Sequence, residues 1–186
     1  MKTIRLLLVS FLVVFVSTTN VVASNKSGKN SVTDQAYLQA QAEVLETFGD
    51  IAESIIAGAG HGYDGPYMDQ LISFHAYGDK FVEFNGGWSF DSAGNEENER
   101  TLFGTMVDPG GVKQFAPLGD SLKIAVYYGN VANLTFISDF ILEIGGVEYT
   151  INNLITLLFV KTKGEWKMVH EHHSPVSDDW TYPEPN

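Results

Sequence analysis

Hydrophobic residues in the first third of the chain recur at helical spacing. Steps of three and four residues connect Leu38, Ala42, Leu45, Phe48, Ala52 and Ile55. This spacing places them on one stripe of an α-helix. We expect the helix to begin near Thr33 or Asp34, either of which can cap it, and to run to about Ala57. After a glycine-rich loop, Pro66 fits the first turn of a second, shorter helix.

From Phe81 onward the pattern changes to that of β-strands. A short strand ends at Gly86-Gly87, and later glycine-containing pairs mark tight turns between longer apolar segments. The longer strands are expected at residues 122–128, 131–144 and 147–162, and from residue 166 onward. Consecutive strands joined by tight turns predict an antiparallel meander, and helices that precede strands predict an α+β domain. The helices would pack on one face of a curved sheet, whose concave side leaves a pocket.

Residues 88–119 follow neither pattern. They contain an acidic run at 91–99, several glycines, Pro109 and Pro117, a composition typical of turns. We expect loops here, with at most short elements. The acidic run is expected to be a solvated loop, because it lacks the ligand spacing of a calcium site.

The N-terminus has the three parts of a secretory signal peptide. Lys2 and Arg5 supply positive charge, residues 6–16 are apolar, and Ala23 ends a small-residue cleavage site. The apolar run is shorter than the ~20 residues that a membrane span needs, so we expect no stable membrane anchor after cleavage. The expected product is secreted or periplasmic.

The rest of the chain suits one domain. We expect a signal peptide at 1–23, a flexible tether at 24–32, a domain at 33–177 and a C-terminal tail at 178–186. The formal net charge of −12 disfavours nucleic acid as a partner. The chain has no cysteine, so its core must hold the fold without disulfides.

The last strand concentrates the residues that are capable of chemistry. With the two-residue period of a strand, one face carries Trp166, Met168, His170, His172 and Ser174. If Trp166 marks the concave face, His170 and His172 point into the pocket, where imidazoles can exchange protons near neutral pH. Glu171 and His173 would then point away. We therefore take His172 and His170 as candidate catalytic residues. The alternative is a structural role between strands, and a bulge would exchange the two faces.

A metal site is a second interpretation of the same strand. His170 and His172 are two residues apart, and His75 or Glu83 could supply a third ligand. The sequence does not itself bring a third ligand to the pair, so we expect neither a metal nor a cofactor.

Several further residues are expected to line the pocket. His75 and Tyr77 directly precede the strand that begins at Phe81, and Glu83 within that strand is a possible pocket acid. The complete set of expected lining residues is Trp166, His75, Tyr77, Glu83, Phe84, Trp88 and Tyr127.

One strand is apolar on both of its faces. Residues 155–160 have hydrophobic side chains at nearly every position, which indicates burial on both sides of the sheet. The helices can cover only one side. A second copy of the chain is expected to cover the other, giving a homodimer through the sheet.

The end of the chain resembles a known family. Residues 164–175 read G-E-W-K-M-V-H-E-H-H-S-P. This is similar to the last strand of the SnoaL-like branch of the nuclear transport factor 2 (NTF2) / ketosteroid isomerase-like superfamily, which often reads W-K-I-V-H-E-H-x-S. Residues 73–84 and 122–135 resemble the same branch. The resemblance implies a cone-shaped α+β fold and a site without metal. It does not imply steroid isomerisation, because the catalytic residues of those isomerases have no matching positions here.

Together these observations predict an exported SnoaL-like domain that binds a small, fairly apolar molecule in a concave pocket. Two alternatives stay open. One is a cofactor-free isomerase, cyclase or lyase that uses His172 or His170 as acid or base. The other is a non-catalytic dimeric interaction module. A histidine hydrogen-bonded to a buried acid or tyrosine inside a closed pocket would favour the enzyme.

Overall fold

The computed structural model describes residues 31–177. In this range the helices are Ser31–Gly58 (α1), Pro66–Ser73 (α2) and Ser92–Glu99 (α3), followed by a π-helical segment at Arg100–Met106. The strands are Val82–Asn85 (β1), Trp88–Phe90 (β2), Val112–Pro117 (β3), Lys123–Tyr127 (β4), Val131–Ile144 (β5), Val147–Ile151 (β6), Asn153–Thr162 (β7) and Glu165–Pro175 (β8). The predicted signal peptide, most of the predicted tether and the predicted tail lie outside the described residues. Between residues 31 and 177, no helix combines the length and hydropathy that a membrane span needs.

Both N-terminal helices form where the sequence pattern predicted them. Pro66 occupies the first turn of α2, as expected. The buried stripe of α1 is displaced from the predicted one and consists of Ala40, Val44, Phe48, Ile51 and Ile55, and Ala59 directly after the helix continues it. Leu38, predicted to be buried, is 62% exposed. Apolar residues surround most of α1, so more than one stripe satisfies the helical spacing, and contact with the sheet selects between them.

Strand β5 is the centre of the sheet. One edge pairs with β3 and β4 and the other with β6 and β7, all antiparallel. β8 pairs antiparallel with β7 and parallel with β1, which forms a hairpin with β2. The predicted strand at 147–162 is divided at Asn152, whose side chain donates to the Ser138 carbonyl at 2.7 Å. The predicted α+β fold with a mostly antiparallel sheet is thus confirmed.

The hydrophobic core lies between one face of the sheet and the helices. We call this face the inner face and the opposite one the outer face. Leu134 and Phe136 of β5 and Leu157 and Phe159 of β7 meet α1 and α2 in one cluster. Burial of each such side chain stabilises the fold by about 1.5–3 kcal/mol. The packing therefore fixes which side of each strand faces the helices.

Residues 88–119 are much more regular than predicted. The expected loops are wrong, because the segment forms β2, α3, the π-helical segment and β3. Asp91 caps α3 by accepting a hydrogen bond from the Gly94 N–H at 2.9 Å. The acidic run therefore belongs to a two-faced helix, and the side chains of Asn95 and Glu99 on one face are buried.

A bulge in β8 decides which of its side chains lie on the inner face. In the pairing with β7, Met168 is opposite Phe159 and His170 is opposite Leu158, which leaves Val169 as an extra residue. The alternation of faces is therefore shifted by one residue after Met168. Trp166 and Met168 are buried before the bulge, and Glu171 is buried after it.

The bulge coincides with a change of neighbour at the other edge of β8. Met168 donates its N–H to the Phe74 carbonyl at 2.8 Å and accepts from the Ala76 N–H at 2.7 Å. From His170 onward, the neighbour is β1, with Val82 opposite His170. The extra residue thus lies where one pairing ends and the next begins.

Candidate functional site

A cavity of about 200 Å³ lies between the helices and the inner face of the sheet. Most of its wall is apolar and includes Phe48, Ile51, Phe103, Phe115, Phe140 and Ile155. Polar side chains complete the wall, among them His75, Asn85, Glu99, Ser138, Asn153, Glu171 and His173. The arrangement suits a small molecule that is mainly hydrophobic and has a polar group.

Glu171 is the centre of the polar part of this wall. Its Oε1 lies 2.8 Å from His75 Nε2 and 3.4 Å from Asn95 Nδ2, and its Oε2 lies 3.3 Å from His173 Nε2. Burial acts to raise the pKa of Glu171, but the hydrogen bonds and charges of His173 and His75 outweigh it and lower the pKa below its usual range. Glu171 is therefore a buried carboxylate that accepts hydrogen bonds from both imidazoles.

His75 fixes Glu171 from one side. Its Nδ1 lies 3.1 Å from the Leu71 carbonyl oxygen, while Nε2 contacts Glu171. The Leu71 carbonyl and the Glu171 carboxylate thus occupy both ring nitrogens of His75. It also stacks on Tyr77, with ring centroids 4.9 Å apart. His75 therefore has no ring nitrogen left for a ligand and serves to hold Glu171 in place.

His173 is held by Glu171 but keeps one ring nitrogen for a ligand. Nε2 donates to Glu171, and within residues 31–177 no hydrogen bond reaches Nδ1. Burial acts to lower the pKa of His173, but the hydrogen bond and charge of Glu171, with a further contribution from Glu83, raise it above its usual value. His173 can thus exchange a proton at Nδ1 with a molecule in the cavity.

A second layer of hydrogen bonds supports these groups from behind. Asn95 Nδ2 and Asn85 Nδ2 each donate to one carboxylate oxygen of Glu83 at 2.9 Å. The Tyr77 hydroxyl donates to Asn95 Oδ1 at 2.5 Å. Burial, followed by the charges of Glu99 and Glu171, raises the pKa of Tyr77, so this hydroxyl keeps its proton. The layer holds Asn95 against both Glu83 and Glu171.

Glu99 differs from the other two buried carboxyls. It ends α3, lines the cavity and is 9% exposed. Within the described part of the chain, no hydrogen bond reaches its carboxyl group, whereas Glu83 and Glu171 each accept several. Burial, and then the charges of Glu171 and Glu83, raise the pKa of Glu99 well above its usual value. These surroundings therefore favour the neutral acid.

The predicted orientation of His170 and His172 is wrong. Both lie on the outer face, where their rings contact the edge of Phe84 with centroids 5.8 and 6.3 Å apart. His170 Nδ1 donates to the Val82 carbonyl at 2.8 Å, and His172 Nε2 lies 2.6 Å from Ser174 Oγ. The extra residue Val169 causes the exchange of faces. Glu171 and His173, which were expected to point away, take the places in the cavity wall.

The structure places four of the other predicted lining residues in three kinds of position. His75 lies in the cavity wall, and Tyr77 and Glu83 belong to the hydrogen-bond network behind it. Trp166 is buried outside the cavity wall and packs beside α1, where its Nε1 donates to Glu43 of that helix at 3.0 Å.

Three aromatic residues predicted to line the cavity are exposed instead. Phe84 is 46%, Trp88 73% and Tyr127 50% exposed. Phe84 alternates with Glu83 and therefore faces outward, Trp88 begins β2 after the hairpin turn, and Tyr127 ends β4. Their predicted lining role is wrong for these reasons of strand geometry.

Sequence reasoning missed Asn95 and Glu99 altogether. They are four residues apart on α3, and Phe103 follows four residues later in the cavity wall. The signal that could have found them is Asp91, a capping residue four positions before Asn95. With Asp91 recognised as a cap, the acidic run would have been predicted as a helix with one face turned inward.

The alternative metal site is not formed by the residues considered for it. His170 and His172 lie on the outer face, whereas His75 and Glu83 lie on the inner side of the sheet. Between residues 31 and 177, no group of three or more His, Asp or Glu side chains is arranged to hold a metal ion.

Comparison with solved structures shows the fold family. The chain is similar to a proposed scytalone dehydratase from Novosphingobium aromaticivorans, with a TM-score of 0.61, 10% identity and coverage of 82% of this chain and 95% of that one. An NTF2-like superfamily protein from Salmonella enterica gives a TM-score of 0.59, 17% identity and coverage of 77% and 95%. A proposed calcium/calmodulin-dependent protein kinase II association domain from Xanthomonas campestris gives a TM-score of 0.55 and 16% identity, with coverage of 73% of this chain and 87% of that one.

These neighbours confirm the NTF2-like cone, and their differing descriptions leave activity open. No curated protein matched the sequence. A family model described as a SnoaL-like domain matches residues 63–178, from the loop before α2 to the end of β8. This match covers more than half of the chain and contains the polar network of the cavity, and the chain therefore belongs to the SnoaL-like domain family.

Proposed function

We propose that this protein binds a small, largely apolar molecule in the cavity, with the polar group of that molecule facing Glu99 and His173. The observation that carries the proposal is the combination of an apolar wall with the carboxyl group of Glu99, which opens to the cavity and accepts no hydrogen bond within residues 31–177. A ligand would supply the contact that the described residues do not provide.

Cavity size limits the ligand. A volume of about 200 Å³ lies below the roughly 300–1,000 Å³ of sites for drug-sized ligands. The proposed ligand therefore has about one ring or a short branched chain. The aromatic residues Phe103, Phe115 and Phe140 would contact its apolar part.

Neighbouring histidines on β8 provide the test of this binding site. Small molecules retained during native purification would be identified by mass spectrometry for wild type, His173→Ala and His172→Ala. Loss of the retained molecule from His173→Ala alone is expected, because only His173 lines the cavity. Equal retention by wild type and His173→Ala, or loss from His172→Ala alone, would contradict the proposal.

A second candidate function is acid–base catalysis without a cofactor, as in an isomerase, cyclase or lyase. The observation that favours it is the opposite pKa shift of two carboxyls in one cavity, because Glu99 is raised and Glu171 is lowered. His173 would accept a proton from the substrate at Nδ1, with Glu171 orienting the ring through Nε2. Glu99 would donate a proton to a departing or developing hydroxyl. The role first considered for His172 or His170 thus passes to His173.

Catalysis would be distinguished from binding alone by the pH profile of turnover, once the retained molecule is known. Glu99→Gln keeps the shape of the side chain but has no proton to donate, so turnover should fall while binding persists. Turnover that is unchanged in both Glu99→Gln and His173→Ala would exclude this mechanism.

We propose in addition that the outer face of the sheet forms a homodimer. Support comes from its exposed apolar side chains, with Leu154 and Tyr127 each 50% exposed and Phe84 46% exposed. One structural neighbour is described as a kinase association domain, which agrees with an assembling role for this fold. Sedimentation analysis of Leu154→Glu should show a shift towards monomer. Leu38→Glu, at a 62% exposed position of α1, is the control that should leave the mass unchanged.

We propose export on the sequence pattern alone. Residues 1–23 have the charge, apolar run and cleavage site of a signal peptide, which would leave a tether at 24–32 before the domain at 33–177. The intact mass of the protein from its native source should correspond to a chain that begins at Ser24. A mass that includes Met1 to Ala23 would contradict export by cleavage.

A further inference from the structure

Glu99 places a specific demand on whatever occupies the cavity. Its side chain is 9% exposed, and it lines the cavity without a hydrogen bond from any described residue. Glu171 accepts from His75, His173 and Asn95, and Glu83 accepts from Asn85 and Asn95. These four side chains are therefore directed to the carboxyls of Glu171 and Glu83, whereas the carboxyl of Glu99 faces the cavity.

We propose that the molecule bound in this cavity carries one basic nitrogen on a small apolar body, and that its ammonium group pairs with Glu99. The inference rests on the binding function proposed above and adds the chemical class of the ligand. It uses Glu99 as the counter-ion of the ligand, a role that acid–base catalysis by a protonated Glu99 would preclude.

The balance of charge around the cavity supports a cationic ligand. Three carboxyls, those of Glu83, Glu99 and Glu171, share the site with two imidazoles, those of His75 and His173. Both imidazoles bind Glu171 through Nε2, and neither donates to Glu99 within residues 31–177. A ligand cation would donate N–H groups to the Glu99 carboxyl once that carboxyl has lost its proton, in the strong charge-assisted kind of hydrogen bond.

The same features disfavour an anionic ligand. A carboxylate or phosphate in the cavity would lie beside the carboxyl groups of Glu99 and Glu171 in surroundings of low dielectric constant. The formal net charge of −12 on the whole chain also disfavours an anion.

Binding of an ammonium group should release a proton from Glu99. The titratable groups around it are Glu83 on β1, Glu171 and His173 on β8, and His75 and Tyr77 before β1. Without a cation beside Glu99, burial and the charges of Glu171 and Glu83 raise its pKa and favour the neutral acid. A cation reverses that preference, so amine affinity should increase with pH up to the raised pKa and should be accompanied by proton release.

Three probes with the same skeleton test the inference. They are 2-phenylethylamine, 2-phenylethanol and phenylacetate, which are positive, neutral and negative at neutral pH. Dissociation constants would be measured by NMR titration of the full protein, and proton release would be measured in a pH-stat. The amine is expected to bind about tenfold more tightly than the alcohol, as a charged hydrogen bond permits, and phenylacetate is expected to bind most weakly.

Two glutamate-to-glutamine substitutions on α3 provide a matched pair of variants. Glu99→Gln should remove both the preference for the amine and the proton release. Glu97→Gln makes the same change of net charge on the same helix, but Glu97 is exposed and bonded to Tyr63. It should therefore bind the amine like wild type. A thermal melt of each variant would verify that it is folded.

The outcomes separate this inference from the binding function beneath it. If the alcohol binds as tightly as the amine, or if Glu99→Gln keeps the preference, the amine inference is overturned while small-molecule binding stands. If none of the three probes perturbs residues of the cavity, the amine inference and the proposed small-molecule binding both fail. Wild-type measurements alone decide the ranking of the three probes, so the test does not depend on the folding of a variant.

Discussion

The two faces of β8 carry the same kinds of side chain in very different surroundings. On the inner face, His173 and the buried Glu171 form one hydrogen-bonded group with His75 at the wall of an apolar cavity. On the outer face, His170 and His172 contact Phe84, Val82 and Ser174 at the edge of solvent. Residue type alone therefore does not show which histidines line the cavity. The strand geometry does, because one extra residue decides which side chains face inward.

The comparison also shows how the inner group gains its properties. Glu171 is buried and is held by partners from two other parts of the chain, His75 after α2 and Asn95 from α3. On the outer face, His170 bonds to a β1 carbonyl and His172 to Ser174 on its own strand. Burial together with charged hydrogen-bond partners is what shifts the pKa values of Glu171 and His173.

The largest expected effect is the loss of stability on removing Glu171. Glu171→Ala leaves the imidazoles of His75 and His173 buried without their carboxylate, and such a change costs about 3–5 kcal/mol of unfolding free energy. Urea denaturation at pH 7 measures it. A loss below about 1 kcal/mol would contradict a central structural role for this residue.

Deletion of Val169 should have a smaller effect and tests the bulge itself. Without the extra residue, strict alternation from Met168 still places Glu171 and His173 on the inner face, because only the bulged position is removed. We expect the free energy of unfolding to fall by about 1–2 kcal/mol, because β8 must adjust its pairing next to β1. Nuclear Overhauser contacts between His173 and Ile155, its partner in β7, should persist in the variant. Their replacement by contacts from His172 to Ile155 would show that the bulge account is wrong.

Glu99→Gln should change how stability depends on pH. The folded protein raises the pKa of Glu99 above its ordinary value of 4.5, so the wild type loses this contribution as pH rises from 4.5 through the folded-state value. Glutamine has no such titration. The variant should therefore gain stability relative to wild type between pH 4 and pH 8. Parallel stability curves across that range would refute the pKa shift, and Glu97→Gln, an exposed change of equal charge, should give no gain.

His172→Ala is expected to have the smallest effect of these changes. Its side chain is exposed, and within residues 31–177 its ring hydrogen-bonds to Ser174 two residues away and touches the edge of Phe84, so the change in unfolding free energy should stay within about 0.5 kcal/mol. Urea denaturation beside Glu171→Ala, at the same protein concentration, makes the comparison direct. A cost as large as that of Glu171→Ala would remove the distinction between the two faces.

The sequence was sufficient for the fold but not for the site. Helical spacing located α1, Pro66 located the start of α2, and glycine turns separated the long strands. Each of these signals is local. The histidine-rich strand was also predicted to line the pocket, and Glu171 and His173 of this strand lie in the cavity wall.

Two features could not be obtained from local patterns. The bulge at Val169 coincides with a change of neighbour from residues 74–76 to β1, and that pairing is a matter of tertiary structure. The inward face of α3 was hidden because its acidic composition is typical of a loop, although Glu96 and Glu97 face outward and are bonded to Arg100 and Tyr63. Burial of Asn95 and Glu99 then depends on packing against the sheet.

The central claim is that a ligand meets the inner face of β8 and not the outer one. The most direct test is an NMR titration with 2-phenylethylamine that follows the assigned ring signals of His75, His170, His172 and His173 in the full protein. We predict that the ring signals of His173 and His75 shift together on binding, while those of His170 and His172 stay in place. Shifts confined to His170 and His172, with His173 unchanged, would contradict the account.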